Sequence, residues 1–178
     1  MRYKMIYILF LIFLLITIPY VITVFLSQQD KNIQFENYDS GYQVISGNDK
    51  DDLETYLLKI LPGQISMDQE NEAVKAQAVI LRTDIIRRME NKKQIARQKL
   101  PYTTYENSEY RKKLGNRSYQ SMDQKRKKSV SETRGKVITY KNKLIEPYFH
   151  ALSVGMTLDS REWFGKDLPY IREKESLS

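Results

Sequence analysis

The sequence predicts an α+β protein: an N-terminal transmembrane helix, then one small extracytoplasmic domain. In that domain two helices hinged at a Pro-Gly turn precede a half containing a β-hairpin. Three observations carry this reading. Met5–Leu26 is an apolar run without a charge. Residues 51–89 hold two stretches of helical apolar period, broken at Pro62-Gly63. From Ser131 the pattern changes to β-rich runs around Lys141-Asn142-Lys143.

The first run reads MIYILFLIFLLITIPYVITVFL. About twenty apolar residues, rising about 1.5 Å each, cross a hydrocarbon core, so the length predicts a span over 5–26. Arg2 and Lys4 precede it and Ser27–Asp30 follow. That bias keeps residues 1–4 in the cytoplasm and exports the rest, as in a single-pass protein of the cell membrane. Pro19 is tolerable within such a helix. The competing reading, a cleaved signal peptide, requires a shorter apolar region ending in small residues, a pattern that Phe25–Ser27 lack.

Residues 27–50 read as a stalk, with a short strand near Tyr42–Ile45. Asn48-Asp49-Lys50-Asp51 offers a helix start with acids at the favourable end. Leu53, Tyr56, Leu57, Ile60 and Leu61 then recur at helical spacing, predicting a helix over Asp51–Leu61 that Pro62-Gly63 ends. A second helix is expected from Asp68 to Met89, with Val74, Ala78, Leu81, Ile85 and Met89 as its apolar stripe. Glu90–Lys128 is polar and basic, and short helices with long loops are expected there. Val137–Tyr140 and Leu144–Phe149 flank the hairpin turn. The domain is expected to occupy residues 51–178.

Composition narrows the chemistry. The 178 residues include one His and no Cys, so neither a thiolate nor a His-rich metal site is available. The net charge of +7 is uneven: 18 Lys/Arg face 5 Asp/Glu between Arg87 and Lys143, whereas 10 acids face 4 bases between Asp30 and Lys75. An exported basic stretch meets anionic lipid or wall polymer rather than nucleic acid. A solvated face of mixed charge explains the same pattern.

Three segments, in order, resemble the stage II sporulation protein D family, or SpoIID/LytB domain. Leu53–Thr83 is similar to that family's YL-containing helix, turn and E-A-L-K-A-Q-A-V-A-A-R-T helix. Here the last part reads Glu72-Ala73-Val74-Lys75-Ala76-Gln77-Ala78-Val79-Ile80-Leu81-Arg82-Thr83. Val130–Tyr140, VSETRGKVITY, resembles A-V-x-x-T-x-G-x-V-L-T-Y. Phe149–Thr157, FHALSVGMT, with Trp163 and Pro169-Tyr170, resembles F-H-S-x-S-G-G-x-T…W…P-Y-L. The resemblance covers about residues 51–172, and the family domain continues further, so a short or truncated member is expected.

The resemblance implies a cell-wall protein that meets peptidoglycan glycan strands, with cell-wall or sporulation proteins as partners. Some family members are lytic transglycosylases and others enhance amidases. Cleavage of a glycan without water needs one carboxylic acid, which protonates the leaving oxygen and then helps the 6-hydroxyl close on the anomeric carbon. The family's Glu for this sits in the turn, eight residues before the Glu of its second helix; that place is Gln64 here. An amide keeps the shape but has no proton to exchange. Weak or absent lytic activity is therefore expected, with Asp68 and Glu70 as substitute acids or Gln64 in a variant mechanism as alternatives.

Further substrate-binding candidates follow from the same resemblance. Arg82 matches the family's Arg and could clamp an acetamido or lactyl group with its fixed fork of donors; alternatively it pairs with Asp84 or Glu54. Lys75 and Gln77 match K-A-Q, and Gln77 alternatively satisfies backbone of the facing turn. His150 and Ser153 match the loop after the hairpin, although Val154 replaces a glycine there. Some members hold zinc with that His and a cysteine; without cysteine no metal or other cofactor is expected. The second function class is a non-enzymatic structural membrane protein whose basic segment binds a partner protein or anionic wall polymer.

Overall fold

The computed structural model describes residues 2–29, 38–149, 156–157 and 159–175. The chain divides into two units, Met1–Asn37 and Tyr38–Ser178. The first contains a helix, α1 (Arg2–Gln29), with Pro19 inside it. Its apolar side chains, among them Phe10, Phe13, Leu15 and Ile16, are exposed.

Among the described residues no helix is long and apolar enough to cross a membrane. This corrects the expected transmembrane span over 5–26. The single-pass membrane placement and N-in orientation, which rested on that span, are withdrawn with it. The α+β character of the chain remains.

The second unit begins with a hairpin. Strands β1 (Gln43–Ser46) and β2 (Asp49–Asp52) pair antiparallel, from Gln43↔Asp52 to Ser46↔Asp49. Gly47, at φ +61, takes the first loop position, where glycine enters positive φ without steric cost. The acids of Asn48–Asp51 therefore belong to a strand, and the helix start moves two residues on, from Asp51 to Leu53. Asp52 caps α2 (Leu53–Ile60) by accepting the Glu54 N–H at 2.8 Å. Its other oxygen accepts from the Ser40 N–H and Oγ, both at 2.7 Å. One side chain thus fixes the start of the helix against the preceding loop.

After α2, Leu61–Gly63 forms a 3-10 turn with Pro62 in its first turn, where a missing N–H costs nothing. Helix α3 (Asn71–Arg88) follows. Its predicted stripe is buried throughout: Val74, Ala78, Leu81, Ile85 and Met89 are each at most 2% exposed. The same core takes Leu53, Tyr56, Leu57, Ile60 and Leu61 from α2 and the turn, and Val44 and Ile95 from the sheet.

Residues 90–132 are more ordered than their composition suggests. Glu90 and Asn91 reverse the chain at φ +49 and +67. Strand β3 (Gln94–Ala96) then lies parallel to β1, giving the sheet order β2-β1-β3. Helix α4 (Asn107–Leu114) is followed by the 17-residue α5 (Asn116–Glu132), which packs on α3. The buried face of α5 is mostly polar: Tyr119, Asp123, Arg126 and Ser129 join Val130. Arg126, 1% exposed, donates to the Leu58 carbonyl at 2.9 Å, to Asn107 Oδ1 at 3.0 Å and to Asp123. No apolar stripe marks such a helix in advance.

The expected hairpin is present as β4 (Thr139–Tyr140) and β5 (Lys143–Leu144), with Lys141 and Asn142 at φ +48 and +61. Strands β6 (Met156–Thr157) and β7 (Lys174–Glu175) pair antiparallel around the short helix α6 (Ser160–Phe164).

Candidate functional site

Gln64 sits where the 3-10 turn ends, at φ −108 and ψ −24. Its N–H and that of Ile65 both donate to the Leu61 carbonyl, at 3.0 and 3.2 Å. Ile65 and Met67 are buried and hold the turn to the core, while the Gln64 side chain is half-buried. The segment 101–106 lies across this turn: the Tyr105 N–H donates to the Lys59 carbonyl at 2.8 Å. A Cβ on Gly63 would stand 2.6 Å from Tyr105 Cε2. Glycine leaves room there for the ring.

Beyond Gln64 the chain turns again through Ser66, whose hydroxyl meets Asp68 Oδ2 at 3.3 Å. The Gln69 carbonyl accepts from Lys125 Nζ, which ties the turn to α5. Asp68 and Glu70 are both exposed. An acid that protonates a glycosidic oxygen works from a partly desolvated pocket, a setting neither of them has.

Arg82 is 1% exposed and faces Glu54, also 1% exposed. Nε donates to Oε1 at 2.8 Å and Nη2 to Oε2 at 2.7 Å, the bidentate geometry that suits guanidinium to carboxylate. Nη1 donates to the Lys136 carbonyl at 3.1 Å and Nη2 also to Thr133 Oγ1 at 3.4 Å. The pair therefore joins α2, α3 and the segment after α5. Next to it is a cavity of about 220 Å³, whose lining includes Tyr38, Tyr42, Glu54, Arg82, Gly135 and Val137. Gln64 does not line that cavity.

The remaining sequence candidates divide. Lys75 pairs with Glu132 at 2.6 Å and Glu72 at 2.7 Å, and the Glu132 hydrogen bond is the first cause that holds its ammonium pKa above the usual value. Gln77 is 2% exposed and its Oε1 has no hydrogen-bond partner among the described residues. Both lie on α3, but Lys75 points to a surface ion-pair cluster and Gln77 inward. His150 and Ser153 lie outside the described residues. Asp84, weighed as an alternative partner of Arg82, instead accepts from the Tyr102 hydroxyl at 2.6 Å and pairs with Arg88. Burial, then that hydrogen bond, pushes the Tyr102 phenol up.

Three contacts at this end of the molecule escape sequence reasoning: Tyr105 on Gly63, Lys125 on Gln69, and Glu132 on Lys75. Each joins residues more than 40 positions apart, and no local period reports such a meeting.

Comparison with known proteins bears on the same segment. Residues 40–140 match the family model SpoIID, described as stage II sporulation protein. The match contains Gln64, Lys75, Gln77 and Arg82; His150 and Ser153 lie beyond it. Stage II sporulation protein D of Bacillus subtilis (strain 168) is 28% identical over 131 residues, which are 70% of this chain and 38% of that protein. The protein of the same name from Bacillus amyloliquefaciens shows the same identity and coverage. An uncharacterized protein of Brachyspira hyodysenteriae (strain ATCC 49526 / WA1) is 32% identical over 119 residues, or 67% of this chain and 30% of that protein. The alignment thus spans well under half the length of these relatives.

Proposed function

The chain belongs to the SpoIID family, and from that premise we propose that it is a sporulation-associated cell-wall protein that binds peptidoglycan glycan strands with little or no lytic transglycosylase activity. Gln64 carries this reading. The family resemblance requires a Glu at that place, and the turn around it keeps an ordered, partly open geometry. The Gln64 amide can hydrogen-bond a sugar but cannot act as general acid, a role that typically supplies about 10²–10⁴-fold. The exposed Asp68 and Glu70 are poorly placed to substitute for it.

Within this reading Arg82 is a positioning residue. Its fork already engages Glu54, Thr133 and the Lys136 carbonyl, so it orders the elements behind the turn instead of clamping substrate. Lys75 is likewise engaged, its ammonium paired with Glu132 and Glu72 beside α5.

The test uses denuded glycan strands and mass spectrometry of the products. The native chain is expected to bind strands and release almost no anhydro-sugar ends. Gln64→Glu restores the acid at nearly constant volume and is expected to raise anhydro product by at least about tenfold. Robust product from the native chain that survives Gln64→Ala would overturn the reading and direct attention to Asp68 and Glu70.

One observation favours a second reading. Gln64 does not line the cavity beside Arg82, which is the dispersal of the family's site residues that this reading expects. In that case the chain is a non-enzymatic structural protein whose basic segment, Arg87–Lys143, binds a partner protein or anionic wall polymer. Pull-down by wall polymer with no affinity for glycan strands would select it.

A further inference from the structure

The β4–β5 hairpin closes with two residues at positive φ, Lys141 at +48 and Asn142 at +61. Such a turn favours Asn-Gly, since side chains other than Asn, Asp and Gly rarely enter this region. Asn142 suits its place; Lys141 is a long cationic side chain at a position that disfavours it. Its ammonium lies 5.4 Å from the centroid of the Tyr140 ring. The Tyr170 ring lies against Tyr140, with centroids 5.7 Å apart and planes at 51°. The Glu146 N–H donates to the Tyr170 hydroxyl at 3.1 Å, which fixes that ring against β5.

These groups enclose a pocket of about 320 Å³ lined by Tyr140, Lys141, Lys143, Leu144, Ile145 and Tyr170. The volume is at the lower end of small-molecule sites, about 300–1,000 Å³. Lys141 and Lys143 are both exposed. Among the described residues no carboxylate lies within ion-pair distance of either; Glu146, the acid that follows along the chain, is 3.9 Å from Arg87. Two ammonium groups with no carboxylate at ion-pair distance among the described residues, beside two aromatic rings and the side chains of Leu144 and Ile145, form a complementary surface for a ring that carries an anion.

We infer that this pocket binds one anionic saccharide unit, a pyranose ring bearing a carboxylate or phosphate. The ring's C–H face packs on Tyr140 and Tyr170, whose negative π-faces favour polarised hydrogens. Lys141 and Lys143 hold the anionic group by charge-assisted hydrogen bonds. The proposal deepens the glycan-binding reading but does not depend on the turn at Gln64, since none of the six lining residues belongs to it.

The experiment titrates the full chain, with its tyrosine rings isotope-labelled, and follows their NMR signals. The probes are N-acetylmuramic acid, N-acetylglucosamine, N-acetylglucosamine 6-phosphate and inorganic phosphate. N-acetylmuramic acid is expected to shift Tyr140 and Tyr170 and to bind at least about tenfold more tightly than N-acetylglucosamine, the factor that one charged hydrogen bond provides. Lys141→Gln with Lys143→Gln should remove that preference while all other tyrosine signals stay in place, and the double Arg variant should keep it. The phosphosugar distinguishes the sources: preference for it over the muramic acid assigns the site to phosphate-bearing polymers, and the reverse to muramyl carboxylates. Equal binding of the charged and neutral sugars, shifts confined to other tyrosines, or inorganic phosphate binding as tightly as the phosphosugar would each overturn the proposal. Strand binding without any hairpin response would remove this site and leave the proposed function standing. A hairpin response without strand binding would do the reverse.

Discussion

The two ends of α2 treat polar side chains in opposite ways. At its first turn Glu54 is shut away with Arg82, and each carboxylate oxygen meets a guanidinium nitrogen. Past its last turn Gln64 stands half-buried at a bend whose backbone N–H groups donate to the Leu61 carbonyl. Both residues lie in the segment that matches the family model. The difference teaches that residues which resemble a family's functional positions need not do the same kind of work. One end fixes the packing of three chain segments, and the other leaves a polar group open to a ligand.

The largest effect that would break this comparison is at the buried pair. Arg82→Met leaves Glu54 buried without its counter-charge and should cost about 3–5 kcal/mol in urea denaturation. Glu54→Leu with Arg82→Met removes both charges and should recover most of that loss, because apolar replacement of a buried pair is often near neutral. If Arg82→Met is instead as stable as the native chain, the pair is not structural and a substrate role for Arg82 returns.

An intermediate effect is expected at Gly63. Gly63→Ala places a methyl against the Tyr105 ring, and overpacking of this kind costs typically about 1–3 kcal/mol. The ring is at the end of a side chain that can swing, so the lower end of that range is expected. Tyr105→Ala on the same background should relieve the clash, and a thermal melt of the four combinations gives the coupling. Additive losses would show that segment 101–106 does not lie across the turn.

The smallest effect belongs to Gln64 itself. Gln64→Ala removes a half-buried amide whose side chain makes no hydrogen bond among the described residues, so stability should change by less than about 0.5 kcal/mol. Strand binding, measured on the same preparation, should fall. A large stability loss here would make Gln64 a second structural residue and erase the contrast with Glu54.

Much of the helical half was legible because its signals are local. Val74, Ala78, Leu81, Ile85 and Met89 recur with the period of one helix face, and that face is the core. Pro62-Gly63 marks a break that the chain makes there. The hairpin at Lys141-Asn142 was equally plain, because two β-rich runs flank a polar pair. Asp52 as the cap was missed by one residue, since Asp49, Asp51 and Asp52 are chemically alike and only the β1 pairing register separates them.

The sequence by itself determined the periodic elements α2 and α3, the turn between them, the hairpin, and the amide at Gln64 where the family resemblance requires an acid. Only the tertiary structure decided the rest. It brings Arg82 to Glu54 across 28 positions and Ile95 beside Val44 in a parallel pair. It buries a polar face of α5 around Arg126 and gathers Tyr140 and Tyr170 with two lysines around one pocket. It also sets aside the membrane span that the composition of α1 suggested. The physical reason is common to these cases. Hydrophobic period and turn chemistry act over a few residues, whereas the partner of a charge, the neighbour of a short strand and the walls of a pocket are chosen by chain segments that meet only after folding.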